Sequence, residues 1–392
     1  MGGQINKIVK ITTIWLDSLS SDNNNSGGNI WARKSYINYV EKYKRAKRIN
    51  RHNNTKQRMK IKSSVKNTKH EAWTIFFMFG LFMSSTIRNI QLLFKIKDNL
   101  IIISCSDFPH DVIPAILLKV IRPTKTKWIQ VIHHEVELSI RTLKLNSLIY
   151  FWWQRILRIM LYFFSDNIWT HSKFSIKMNS NRIKKKLIIG ISGQQGNEYN
   201  CKRIRKSLHT ELKILFIGRA TKNKGFYDLI KIIKLLGVSY SIQLNLIVHD
   251  TELAIRIMRK KNINIHSTNI LSNLSNEDMC KQIIQCDLFI QPSFDEGWNY
   301  SLREVINLKI PTFVYNLEIY NELNLPKLYV SKKGDWTSIV KKVDKFLKLS
   351  KVSKNRIVEQ AFKSLEGHDW EQAYAIQARS IHKLMGEFNE KH

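Results

Sequence analysis

Ser293-Phe294-Asp295-Glu296-Gly297-Trp298-Asn299-Tyr300-Ser301-Leu302-Arg303-Glu304 is the segment around which the rest of the chain arranges itself. It follows an apolar run at 286–291 and Pro292, which predicts a buried strand, and it leads into a helical pattern that ends near Leu308. Glu296, Gly297 and Asn299 are therefore expected at a strand-to-helix turn, where open parallel sheets hold ligands. The unpaired N–H groups of such a helix start carry partial positive charge and suit a phosphate, and Gly297 lets the backbone approach it closely. Glu296 and Glu304 stand eight positions apart. That is about two helical turns, so if both lie in or next to the helix they are expected to point to one side.

Two glutamates at that interval on a helix usually form no more than a solvated face. Other residues, met in order, give them weight. Gly218-Arg219, four further residues and Lys224-Gly225 lie between a predicted strand at 213–217 and a predicted helix at 226–236. At a strand C-terminus an Arg fork and a Lys point charge can neutralise a leaving diphosphate. The Glu-x7-Glu and Gly-Arg-x4-Lys-Gly spacings together resemble the retaining glycosyltransferases of family 4 (glycosyl transferases group 1), which have the GT-B fold. Gly218, Arg219, Lys224, Gly225, Pro292, Ser293, Glu296, Gly297, Glu304 and Pro311 all fall in register with that family.

The resemblance implies two Rossmann-like α/β domains whose parallel sheets face an inter-domain cleft. It divides the chain into an acceptor-side domain at 1–188, a nucleotide-sugar-binding domain at 189–366, and a C-terminal helix at 367–392 that crosses back to the first domain. By the same resemblance Arg219, Lys224, Gly297, Trp298 and Asn299 bind the donor and Glu304 holds the ribose. Glu296 is the catalytic carboxylate that orients the sugar. Either His133 or His134, just past a strand at 127–132, faces the donor sugar; the residues alone leave that choice open. Gly28, in a Gly-Gly pair before a helix from Ile30, is placed near the donor phosphates or the acceptor. The chain departs from the family at His249-Asp250-Thr251, where Gly-Asp-Gly is common, at Lys309, and at Asn299, which replaces a common glycine.

Composition bounds the remaining choices. With 392 residues, 43% apolar and 10% aromatic, the chain can build two ordinary cores. A formal charge of +33, from 64 basic against 31 acidic residues, predicts an anionic partner: nucleic acid, an acidic membrane surface or a phosphorylated substrate. Residues 41–70 hold twelve Lys or Arg against one acid and read as a solvated insertion or an anion-binding surface. Seven aromatics with Arg155 and Arg158 in 148–164 suit either core packing or a membrane-interface helix. The four cysteines form no Cys-x-x-Cys pair and read as reduced thiols. No signal-peptide core is present and the longest uncharged apolar run, 72–87, is too short to span a bilayer, so a cytoplasmic chain lying on the inner face of the membrane is expected.

The functional expectation is sugar transfer from a nucleotide-diphosphate sugar to a glycan or lipid-linked acceptor, with no metal and no cofactor, since no Asp-x-Asp signature occurs. The alternatives are a basic nucleic-acid-binding protein and a GT-B scaffold without turnover. No zinc-finger, RNA-recognition or KH signature supports the first, so no nucleic-acid partner is expected. The retained Arg219, Lys224 and Glu pair speak against the second. Further strands are expected at 5–15, 100–105, 244–248, 263–265 and 311–315, and a hinge at Gly190, Gly193 and Gly196.

Overall fold

The computed structural model describes residues 11–17, 27–42, 46–50, 71–135, 145–175, 180–194, 211–263 and 267–390. In chain order the elements are β1 (Ile11–Asp17), α1 (Gly27–Lys42), β2 (Ala46–Asn50), α2 (Glu71–Phe94), β3 (Asn99–Ser104), α3 (Pro109–Ile121), β4 (Thr126–Ile132), α4 (Leu145–Phe164), β5 (Asn167–Thr170), α5 (Asn181–Lys186) and β6 (Leu187–Ile189). There follow β7 (Leu212–Ile217), α6 (Phe226–Leu236), β8 (Ile242–Ile247), α7 (Thr251–Lys260), β9 (Thr268–Leu271), α8 (Asn276–Ile284), β10 (Leu288–Gln291) and α9 (Tyr300–Asn307). The last are β11 (Thr312–Tyr315), β12 (Val330–Ser331), α10 (Trp336–Leu347), α11 (Lys351–Lys363) and α12 (Trp370–Asn389). They form two compact units, one of Met1–Ser192 with Glu371–His392, the other Gly193–Trp370.

Each unit holds one six-stranded sheet whose pairings are all parallel, in the orders β2-β1-β3-β4-β5-β6 and β12-β11-β10-β7-β8-β9. Parallel strands covered on both faces carry near-continuous apolar runs, and every residue of β3, β4 and β10 is buried. In the first unit one face of the sheet packs Ile14, Leu100, Ile102 and Trp128 against Leu93, Val112, Leu157 and Ile183 of α2, α3, α4 and α5. The other face sets Trp15 and Trp169 against Trp31 of α1, with ring centroids 6.0 and 6.4 Å from it. The helix α12 joins this second face. Ser380 Oγ accepts from Asn167 Nδ2 and Trp169 Nε1, both at 2.9 Å, and Gln377 Nε2 donates to Ser35 Oγ at 3.1 Å and to the Ile191 carbonyl at 2.7 Å.

Several expectations are corrected. Part of the basic block at 41–70 is ordered secondary structure: α1 runs to Lys42 and residues 46–50 form the edge strand β2 beside β1, while 43–45 and 51–70 lie outside the described residues. The helix α1 starts at Gly27, so Gly28 is in its first turn. Of the strand expected at 263–265, Ile263 is in no strand, and 264–265 lie outside the described residues. Asn262 takes φ 51° and Ile263 N–H returns to the Met258 carbonyl at 3.1 Å, a left-handed closure of α7 that the β-branched residue had disguised. The strand follows at Thr268–Leu271. Cys105 and Cys286 are buried thiols outside any disulfide, whereas Cys280 is disulfide-bonded. Among the described residues no helix is long and apolar enough to cross a membrane.

The fully buried His110 at the start of α3, stacked on Phe108, has its pKa lowered from 6.5 to about 3 by burial. Between those values the unfolded chain binds a proton that the folded chain refuses, so stability falls as pH drops through this window. Urea unfolding at stepped pH below 6.5 should show wild type losing up to about 1.4 kcal/mol per unit more than His110→Leu. Parallel slopes would show that His110 takes up its proton normally in the fold.

Candidate active site

In the second sheet β7 runs to β8 on one side, while its other neighbour, β10, leads on to β11. The order in which strands are added to the sheet thus reverses between β7 and β10, and the loops after these two strands flank a topological switch point, the ligand-binding position of open α/β sheets. The first predicted motif lies in the loop after β7, and the second starts in the loop after β10 and ends within α9.

The loop after β7 ends at Gly225, the N-cap of α6, with φ 70° and ψ 17°. A Cβ there would stand 1.8 Å from the Pro292 carbonyl oxygen, so only glycine allows the two loops this contact. Phe294 N–H donates to the Asn223 carbonyl at 2.8 Å, a backbone bond across the same seam. Lys224 Nζ donates to Glu296 Oε2 at 2.7 Å, and Ser293 Oγ donates to Glu296 Oε1, also at 2.7 Å. The Glu296 side chain is only 5% exposed and Lys224 20%. Arg219 is exposed and has no ion-pair partner among the described residues.

The loop after β10 turns at Asn299, the N-cap of α9, which takes the left-handed conformation φ 56°, ψ 68°. This explains why asparagine stands where the family has glycine: Asn is one of the few L-residues that accepts positive φ. Its side chain is used in full. Oδ1 accepts from Leu302 N–H at 3.1 Å, and Nδ2 donates to Gln291 Oε1 at 2.7 Å and to the Tyr320 hydroxyl at 2.6 Å. Gln291 Nε2 in turn donates to the Ile217 carbonyl at the end of β7, at 2.8 Å. Gly297 is not among the positive-φ residues, so its dihedral does not by itself require glycine.

The turn also corrects the expected relation between the two glutamates. Glu296 precedes the helix and is separated from it by the left-handed turn, so helical periodicity does not relate it to Glu304, which lies within α9 and is half-buried. Trp298 is 4% exposed, its indole packed near the His368 ring at 5.8 Å and 3.4 Å from the Arg303 guanidinium carbon. Arg303, Gln291 and Tyr320 went unrecognised in the sequence, where nothing separates them from ordinary helix and strand residues. Arg303 is 1% exposed; its Nε donates to the Trp298 carbonyl at 3.1 Å and its two terminal nitrogens find no acceptor among the described residues. Burial lowers its pKa to about 9, against the opposing pull of Glu322, so it stays charged at neutral pH. Burial and the nearby Glu296 push the Tyr320 phenol up, which keeps it neutral.

In the first unit, His133 follows β4 and both its ring nitrogens are engaged: Nε2 with the Cys105 carbonyl at 2.9 Å, Nδ1 with His171 Nε2 at 2.6 Å. His171 Nδ1 meets Ser192 Oγ at 2.5 Å. A carbonyl only accepts, so His133 carries its proton on Nε2; with both rings neutral, His171 donates to His133 and Ser192 donates to His171. The edge of Trp31 covers both rings, at 5.9 and 6.2 Å. The His134 carbonyl accepts from Gln154 Nε2 at 3.1 Å.

Residues 197–364 match the family described as Glycosyl transferases group 1. The second unit is a glycosyl transferases group 1 domain. Among curated proteins none matches the chain in sequence. In structure it is similar to sucrose-phosphate synthase from Thermosynechococcus elongatus, at TM-score 0.69 and 11% identity over 96% of this chain and 99% of that one. Anabaena HepE, solved with UDP and glucose, gives TM-score 0.66 and 12% identity over 95% and 100% of the two chains. A glycosyltransferase from Rickettsia africae gives 0.65 and 14% over 97% and 98%. The fold is GT-B, with two parallel-sheet α/β domains.

The left-handed turn at 299 yields an ordering test. Asn299→Gly keeps the dihedral and loses the side-chain bonds, whereas Asn299→Ala loses the same bonds and adds about 1–2 kcal/mol of backbone strain. Thermal unfolding should therefore rank wild type above Asn299→Gly and Asn299→Gly above Asn299→Ala. Equal stability of the two variants would remove the argument for a left-handed residue at this cap.

Proposed function

We propose that the chain is a retaining glycosyltransferase that moves a sugar from a nucleotide-diphosphate sugar to a hydroxyl of a glycan or lipid-linked acceptor. The observation that carries this reading is the locked pair of loops at the β7/β10 switch point, in which Lys224 is ion-paired with a nearly buried Glu296 just before the N-terminus of α9, while Arg219 is exposed in the loop after β7.

Glycosyl transfer builds negative charge on the departing diphosphate and positive charge at the anomeric carbon. Arg219, Lys224 and the first N–H groups of α9 supply the positive counterpart for the diphosphate, which is a reason for the chemistry to proceed without a divalent ion. Glu296 is held by Lys224 and Ser293. A phosphate that takes over Lys224 leaves one carboxylate oxygen of Glu296 for a sugar hydroxyl, so donor arrival and sugar orientation are coupled through a single ion pair. Glu304 holds the ribose. No enzymatic nucleophile stands out in this loop pair. The reading is therefore front-face attack, in which the acceptor oxygen bonds to the anomeric carbon as the C–O bond to the diphosphate breaks, and the hydroxyl proton passes to the leaving phosphate. His133 or His134 keeps the sugar-facing role implied by the family likeness. HepE, solved with UDP-glucose, makes uridine sugars the first donors to try.

A thermal-shift screen of UDP-, GDP- and ADP-sugars on wild type and on the Arg219→Ala/Lys224→Ala variant tests the donor site. One nucleotide sugar should raise the melting temperature of wild type, and the double variant should lose that rise. No shift with any of them, on folded protein, would overturn the donor-site assignment and return the basic surface to first place.

A further inference from the structure

The helix α4 presents two apolar sides. Gln154, Leu157 and Leu161 are buried toward the sheet. On the opposite side Ile149, Trp152, Ile156, Ile159 and Phe163 are 52, 64, 48, 62 and 59% exposed. Their spacing of three, four, three and four residues draws one stripe along the helix, about 21 Å long at the rise of an α-helix. A helix facing water carries polar residues there. Val120 and Ile121, at the end of the neighbouring α3, are likewise more than half exposed.

The charges on these helices are mostly positive, although Arg158 is ion-paired with Glu135 and Lys119 with Asp166. The helices α3, α4 and α5 contain seven Lys or Arg and a single acid, Asp111, which is fully buried. Lys186 Nζ donates to the Leu161 and Tyr162 carbonyls at 3.2 and 3.1 Å, capping the C-terminus of α4 and fastening α5 against it. The Arg182 guanidinium lies 4.7 Å from the centre of the Tyr162 ring, and Lys184 and Lys185 are exposed on the same short helix. Midway along α4 Arg155 lies 4.4 Å over Phe151. An apolar stripe edged by cations on long stems matches a bilayer interface, where rings reach the acyl boundary and Lys and Arg reach phosphate-bearing head groups. Like charges edging both surfaces oppose the docking of a second copy by this face.

We propose that the outer face of α4, with the basic end of α5, docks on an anionic lipid bilayer surface without crossing it. The proposal does not depend on the glycosyl-transfer reading. The full chain is sedimented with vesicles of phosphatidylcholine alone or mixed with phosphatidylglycerol. Wild type should pellet with the mixed vesicles and not with phosphatidylcholine alone. Each basic side chain at such a surface contributes about fivefold, so Arg182→Ala/Lys184→Ala/Lys185→Ala should weaken partitioning about a hundredfold. Trp152→Ser/Ile159→Ser should abolish what remains bound at raised salt, where charge is screened and apolar insertion persists. All five positions are exposed, so both variants should keep the wild-type melting temperature and any nucleotide-sugar shift; that separates this test from the donor-site test. Failure of wild type to bind mixed vesicles would overturn the proposal. So would variants that bind like wild type, placing the contact elsewhere on the basic surface, or a dimer in sedimentation equilibrium that Trp152→Ser/Ile159→Ser dissociates.

Discussion

The candidate site depends on one close approach, the backbone of Gly225 against the carbonyl of Pro292. Two loops that leave adjacent strands would otherwise diverge, each solvated separately. With no side chain between them they share a backbone hydrogen bond from Phe294 to Asn223 and an ion pair from Lys224 to Glu296. That contact brings the Lys224 ammonium onto the Glu296 carboxylate. The contact in turn is fixed by Gln291 and Asn299, which tie the end of β7 to the start of α9 through side-chain amides. Rigidity here comes from small and amide residues, not from the charged ones.

Much of this was legible in the sequence, for identifiable reasons. Uninterrupted apolar runs marked β3, β7 and β10, because a strand buried on both faces has no polar alternation. The bounds of α6 and α8 follow directly from periodicity with Gly225 and Ser275 at their starts. What escaped has physical causes too. The strand β2 hides in a basic block, where an edge position in the sheet tolerates a run with few apolar residues. The helix α7 begins where the family's Gly-Asp-Gly is replaced, and there Asp250 accepts from Leu253 N–H as a cap. At Glu296 the eight-residue spacing suggested a shared helix face, but the left-handed turn at Asn299 breaks the phase. Spacing alone carries no dihedral.

Arg303 shows a different kind of limit. A basic residue in the first turns of a helix reads as solvated, and only the packing of Trp298, Tyr320 and α9 reveals that this one is sealed in. Its charge is retained against the cost of burial by the indole on its face and by the field of Glu322. In the first unit, likewise, the His133–His171–Ser192 chain joins residues far apart in sequence under the edge of Trp31. Such chains follow from topology and leave no local signature.

The first unit is also discontinuous: it is finished by Glu371–His392, after the whole second unit has passed in sequence. Until α12 arrives, Asn167 and Trp169 lack the Ser380 hydroxyl, Ser35 lacks Gln377, and Lys127 lacks Glu387. On the ribosome the second unit therefore has all its strands before the first has its last helix. The tryptophan-rich face of the earlier sheet must wait exposed for the length of that synthesis, so the order of translation makes it the part of the nascent chain most in need of shielding.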